Sequence, residues 1–149
     1  MIDPSPSPAI GEVIQLALAP VFVLVAIGSF LNVLAMRLAR AVDRAREVMT
    51  VLEDDPADAL RWTLELESLG RRMKYSHLAI NCCAVAALIV ALLVVAMFLA
   101  DLAHLSAAGV IALLFSAAMI IFVAALCFFL AEIAIAARTV RVGAEMMNK

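Results

Sequence analysis

The sequence predicts an all-α integral membrane protein with three transmembrane helices and a cytoplasmic helical hairpin between the first and second. Three observations carry that reading. Of the 149 residues, 66% are hydrophobic and the mean hydropathy is +1.09, whereas a soluble domain is about half apolar. Three apolar stretches reach or exceed the roughly 20 residues that cross a hydrocarbon core. All 11 Lys and Arg fall on one side of those stretches once the chain is threaded through a bilayer. The same composition excludes other classes. With 13 Asp and Glu the formal charge is -2, so no basic excess points to nucleic acid. The three Cys form neither an even disulfide framework nor a paired CxxC zinc site. A soluble enzyme with a polar cleft does not fit so greasy a chain.

Residues 1–9 read as a flexible external leader, since Asp3, Pro4, Pro6 and Pro8 come without any Lys or Arg. A cleaved signal peptide would need a basic start and a shorter apolar run. The first span covers residues 10–36 and holds Leu16 to Leu31 free of ionisable groups. The second, 78–100, has no charge, Pro or Gly, and Asn81 is its only strongly polar side chain. A link, 101–106, leads to the third span, 107–131, and a tail, 132–149. All three spans must be helices, because three strands cannot close a barrel and an open edge cannot face lipid. Lys and Arg near span ends stay on the cytoplasmic side. Eight of them lie between the first two spans and three in the tail, at Arg138, Arg141 and Lys149. The N-terminus and the 101–106 link are therefore expected outside, and the C-terminus in the cytoplasm.

Residues 37–77 are too long for a structureless loop in a compact protein. Leu38, Val42, Ala45, Met49 and Leu52 alternate steps of four and three, and Trp62, Leu66, Leu69 and Met73 repeat the pattern. Each set is an a/d-like seam of the coiled-coil kind. Pro56 disfavours helix at the preceding residue, which places the turn at residues 53–57. Glu67 and Arg71 form a favourable i,i+4 pair. The two arms should pack on each other or on a neighbouring subunit.

The first span holds most of the candidate functional residues. At 100° per residue, Glu12, Gln15, Phe22, Ser29, Arg37, Arg40 and Arg44 share about one third of the helix surface. Intramembrane polar groups turn toward protein or water, so this stripe is a candidate pore lining or subunit seam, with Arg37, Arg40 and Arg44 at its inner mouth. Asn32 lies one turn beyond Gly28 and joins it. The plainer reading makes Glu12 an interfacial acid, lets Gln15 and Ser29 bond between helices, and treats the arginines as topology signals. Pro20 frees the carbonyl of Leu16 and marks a kink. In the second span, Ala79, Cys83, Ala87 and Ala91 recur every four residues as a small-residue packing ridge. Cys82, Cys83 and Cys127 read as small apolar residues rather than metal or redox groups. Glu132 is the sharpest single residue, because the apolar run continues past it to Ala137. Its depth matches Arg37, Arg40 and Lys74, so it reads as an interfacial ion pair, with an ion or proton site at the inner mouth as the alternative. His77 and His104 fall on opposite sides of the membrane, and no catalytic constellation or cofactor motif is present.

These residues resemble a known family. The stretch IGEVIQLALAPVFVLVAIGSFLNVLAMRLARAVDRAR, the helical pair after it and the FFLAEIAIA ending of the third span are similar to the bacterial domain-of-unknown-function family 2721. The resemblance runs from Ile10 to about Ala137, and its most specific parts are Ala19 with Pro20, Asn32, Arg37 to Arg44, and the LAEI around Glu132. It implies a small multi-span protein of the bacterial inner (plasma) membrane and supplies no activity.

The sequence thus leads to a homo-oligomeric, non-enzymatic membrane protein without cofactor or metal. A passive ion or small-solute channel lined by the first span is the leading expectation. The alternative is a non-conducting scaffold or sensor whose hairpin binds a cytoplasmic protein partner. The topology is testable directly: a reporter fused after Lys149 should be active in the cytoplasm, and carbonate washing should leave the protein in the membrane fraction.

Overall fold

In the computed structural model the chain forms α1 (Pro8–Asp54), α2 (Ala59–Leu102) and α3 (Ala108–Met147). The structure describes residues 8–54, 59–103 and 107–147; the side chains of 8–10, 12, 13, 53, 54 and 138–147 lie outside the described set. The 1–9 leader, Pro56 and its turn, and His104 therefore fall wholly or largely outside it. Each helix contains a stretch long and apolar enough to cross a membrane. α1 has 47 residues, which at 1.5 Å per residue is about 70 Å, more than twice the roughly 30 Å hydrocarbon core.

α1 continues past residue 36, as a hairpin that extends the first span requires, and α3 continues past residue 131, where the sequence places the end of the third span. Charge stops the apolar stretch there, but Arg, Ala, Leu, Glu and Met after it are all good helix formers. α1 also runs unbroken through Pro20, whose ring is buried.

α2 is the central element, packed along both α1 and α3, while α1 and α3 approach each other only locally. The packing follows a seven-residue rhythm from end to end. In α1 the buried residues Pro20, Ile27, Leu34, Ala41 and Val48 are spaced by seven, and the half-buried or buried Leu24, Leu31, Leu38, Ala45 and Leu52 interleave with them. In α2, Leu69, Ser76, Cys83 and Val90 form one buried column and Ala79, Ala86 and Leu93 another. In α3 the buried set is Ala118, Ala125 and Glu132. A repeat of seven is what helices need to stay in contact over many turns, because it keeps successive side chains on the shared face.

Two expected seams shift accordingly. The α1 arm buries Ala41, Ala45 and Val48, while Val42 is half-buried and Met49 exposed. In α2 the four-residue ridge holds through Ala79 and Cys83, then Ala87 is half-buried and Ala91 exposed. Steps of four alone advance 400° each and drift off a fixed face, so Ala86 and Val90 take over. Trp62, Leu66, Leu69 and Met73 do face the α1 arm as their spacing predicts.

The core has two parts. Ile27, Leu34, Ala79, Cys83, Ala86, Val90, Ala118 and Ala125 form the larger cluster, within the apolar section. There lipid is as apolar as any side chain, so close approach over small residues and dispersion do the holding. Phe30 of α1 meets Phe122 and Phe129 of α3 edge-on, with centroids 5.9 Å and 5.1 Å away, contacts that contribute about 0.5–1.5 kcal/mol each. The second cluster, Ala45, Val48 and Leu69, lies in the arms.

Enlarging a small residue on the packed faces should therefore destabilise. Ala125→Leu is expected to lower the unfolding free energy by about 1–3 kcal/mol in detergent, and Ala91→Leu by less than about 0.5 kcal/mol.

Candidate functional site

Glu132 occupies a core position that Ala118 and Ala125 hold on the two preceding heptads of α3. Its side chain is only 2% exposed. The carboxylate is reached from both other helices: Arg37 of α1 donates from Nε and Nη2 to Oε2 at 3.0 Å and 2.9 Å, and Arg72 of α2 donates from Nε to Oε1 at 3.1 Å. Both oxygens are thus engaged, one per helix. The guanidinium of Arg37 also lies 5.4 Å from the centre of the Phe129 ring, a cation–π contact one turn from Glu132.

The local sequence explains the convergence. Arg37 follows Val23 and Phe30 at intervals of seven on the α1 side that meets Phe122 and Phe129. Arg72 precedes Ala79, Ala86 and Leu93 at the same interval, so that column of α2 faces α3. A buried carboxylate is costly unless it is both paired and hydrogen-bonded, and here two charge-assisted donors meet that need. Among the described residues no buried side-chain nitrogen or oxygen lacks a hydrogen-bond partner.

Below this tie a second ionic contact joins the arms. Arg44 Nε donates to Glu65 Oε1 at 2.8 Å and its Nη1 to Glu47 Oε2 at 3.1 Å. Glu67 and Arg71 pair at 2.6 Å as their spacing predicts, but on an exposed face, where such a pair adds only tenths of a kcal/mol.

The candidate stripe of α1 separates into two groups. Gln15, Phe22, Ser29 and Asn32 all point away from α2 and α3, with Phe22 69% exposed. Ser29 bonds back to the carbonyl of Val25 in its own helix at 3.0 Å rather than to another helix. Arg40 is exposed on the same side, whereas Arg37 turns inward to Glu132. The side chain of Glu12 lies outside the described residues. Cys83 is buried in the core, Cys82 half-buried and Cys127 exposed, all as free thiols. Among the described residues no three His, Cys, Asp or Glu are placed to hold a metal ion.

Arg72 is the partner that depth matching had not singled out, in place of Arg40 and Lys74. Its signal was the seven-residue column through Ala79 and Ala86, legible only when the arm and the span are read as one helix.

Three antiparallel helices, each long and apolar enough to span a membrane and fastened by one shared carboxylate, define a membrane protein of the all-α class. Over residues 17–142 the chain matches the family described as "Protein of unknown function (DUF2721)", and it belongs to that family. The matched stretch contains Arg37, Arg72 and Glu132. No curated protein and no solved structure matches the chain.

Removing the carboxylate leaves two guanidinium groups facing each other. Glu132→Ala should lower the unfolding free energy by about 3 kcal/mol, the low end for a broken buried pair because both arginines are partly exposed. Thermal unfolding in detergent reads this, with Glu67→Ala as a control expected to change by less than about 0.5 kcal/mol.

Proposed function

We propose that the protein is a non-catalytic, membrane-anchored docking scaffold whose α1 and α2 arms present a binding face to a cytoplasmic protein. The observation that carries this reading is the state of the arms beyond the Glu132 tie. They are held together by their own apolar cluster and by Arg44 with Glu65. Their outward surfaces nevertheless leave Met49, Val51, Leu60 and Leu64 exposed, Leu60 by 76%. Leu60 lies about half a turn around α2 from the buried Leu69, so it cannot join that cluster. Large apolar groups left on a rigid element outside the lipid are the usual material of a binding face. Retention of cations in the cytoplasm supports an inner (plasma) membrane location with the arms and C-terminus inside and the N-terminus outside.

A second reading is a homo-oligomeric passive channel lined by α1. It is favoured by Gln15, Ser29 and Asn32 sharing the outward face of that helix. The core between the three helices is apolar, so such a path would have to run between copies.

The two readings separate in one pair of measurements. A photo-reactive residue at position 60 or 64 should yield a discrete adduct with one other protein in cells. Leu60→Glu with Leu64→Glu should weaken that association at least tenfold, since burying each Leu contributes about 1.5–3 kcal/mol. Liposomes carrying the purified protein should show no ion flux above empty vesicles. Flux that Asn32 or Ser29 variants alter, with no adduct from the arms, would favour the channel.

A further inference from the structure

The Glu132 tie does not balance its own charge, and this points to a ligand. Two guanidinium groups face one carboxylate, so the cluster carries a net single positive charge. The donor count is equally uneven: two arginines offer ten N–H groups, and a carboxylate accepts about four. No other acid pairs with Arg37 or Arg72 among the described residues; Glu47 and Glu65 are taken by Arg44, and Glu67 by Arg71. Asp43 is exposed and lies six residues beyond Arg37, about 9 Å along the helix. The surplus donors are not sealed in, since the side chains of Arg37 and Arg72 are 34% and 25% exposed. Arg40 adds a third cation three residues on, roughly 60° around α1 from Arg37, exposed and without an ion pair among the described residues.

The depth of this surplus matters as much as its sign. From Glu132 back to the start of α3 at Ala108 is about 36 Å of helix, enough to cross a hydrocarbon core and reach both interfaces. The cluster therefore lies at one end of the apolar section, at headgroup level, where an uncompensated guanidinium is poorly screened by water. Planar guanidinium groups present paired donors that fit phosphate oxygens, which a carboxylate-saturated lysine would not.

We infer that Arg37 and Arg72 form a binding site for a phosphate-bearing anion, with Glu132 holding the two guanidinium groups apart and aimed and Arg40 adding positive charge at its rim. The site takes one phosphate group against its spare charge. Two sources offer that chemistry: the headgroup of an acidic phospholipid, and free phosphate. The inference rests on the membrane character of the chain and is independent of what docks on the arms.

Native mass spectrometry of the detergent-purified protein tests it, with phosphatidylglycerol, phosphatidylcholine and inorganic phosphate as separate additions. Wild-type protein should retain phosphatidylglycerol at least tenfold better than phosphatidylcholine. If the source is lipid, millimolar phosphate should leave the retained phosphatidylglycerol in place; if it is the free anion, phosphate should bind and displace it. Arg40→Gln, at an exposed position with no structural contact to lose, should weaken retention about fivefold, the factor one cation near an anionic surface supplies. Arg72→Gln should weaken it at least as much. Equal retention of the two lipids with no phosphate binding would overturn the inference. So would a phosphatidylglycerol preference that Arg40→Gln leaves unchanged, because a folded variant would then show that the attraction lies elsewhere.

Discussion

One carboxylate governs how the three helices stand relative to one another. Apolar faces in a bilayer are poor at fixing register, since sliding one helix along another by a heptad exchanges one set of small residues for a similar set. Glu132 removes that freedom. It is at a position where α3 otherwise places Ala118 and Ala125, and it can be buried only where Arg37 and Arg72 arrive together. Any other alignment leaves a charge without its partner, at a cost of several kcal/mol. A polar residue at a single core position is an established way of specifying register at some expense in stability.

The rest of the architecture follows from keeping contact on either side of that point. On the apolar side, Ala79, Cys83, Ala86, Ala118 and Ala125 bring backbones close, which suits a solvent that offers no hydrophobic drive. On the other side, Trp62, Leu66 and Leu69 pack on Ala45 and Val48. One seven-residue spacing serves both sections of the helices. Arg44 with Glu65 repeats the ionic fastening farther along the arms, without the burial that makes Glu132 selective.

Helix class, helix count and the pairing of the arms were legible because long apolar runs and alternating steps of three and four admit few other structures. Pairing of Glu132 with Arg37 was legible from matching depth. Arg72 was not, and the reason is physical. The apolar spans and the charged arms look like different materials in composition, so they invite separate treatment, yet the backbone continues through both and carries a single packing phase. Read across residue 77, the column Arg72, Ala79, Ala86 and Leu93 identifies the side facing α3. The outward direction of Gln15, Ser29 and Asn32 was equally hidden, since a helical wheel groups residues on a face without saying which neighbour that face meets.

The absence of a joint between the apolar section of α1 and its arm has a mechanical consequence. From Arg37 to Asp54 the helix extends about 25 Å further, and α2 is braced against it over much of that distance. Such a pair behaves as a lever with its fulcrum at the ionic tie. A tilt of about 10° at the fulcrum, well within the range that bilayer thickness imposes on helices, displaces the far end by about 4 Å. Changes in lipid thickness would thus be carried out of the apolar section as movement of the arms, with no hinge needed along the way.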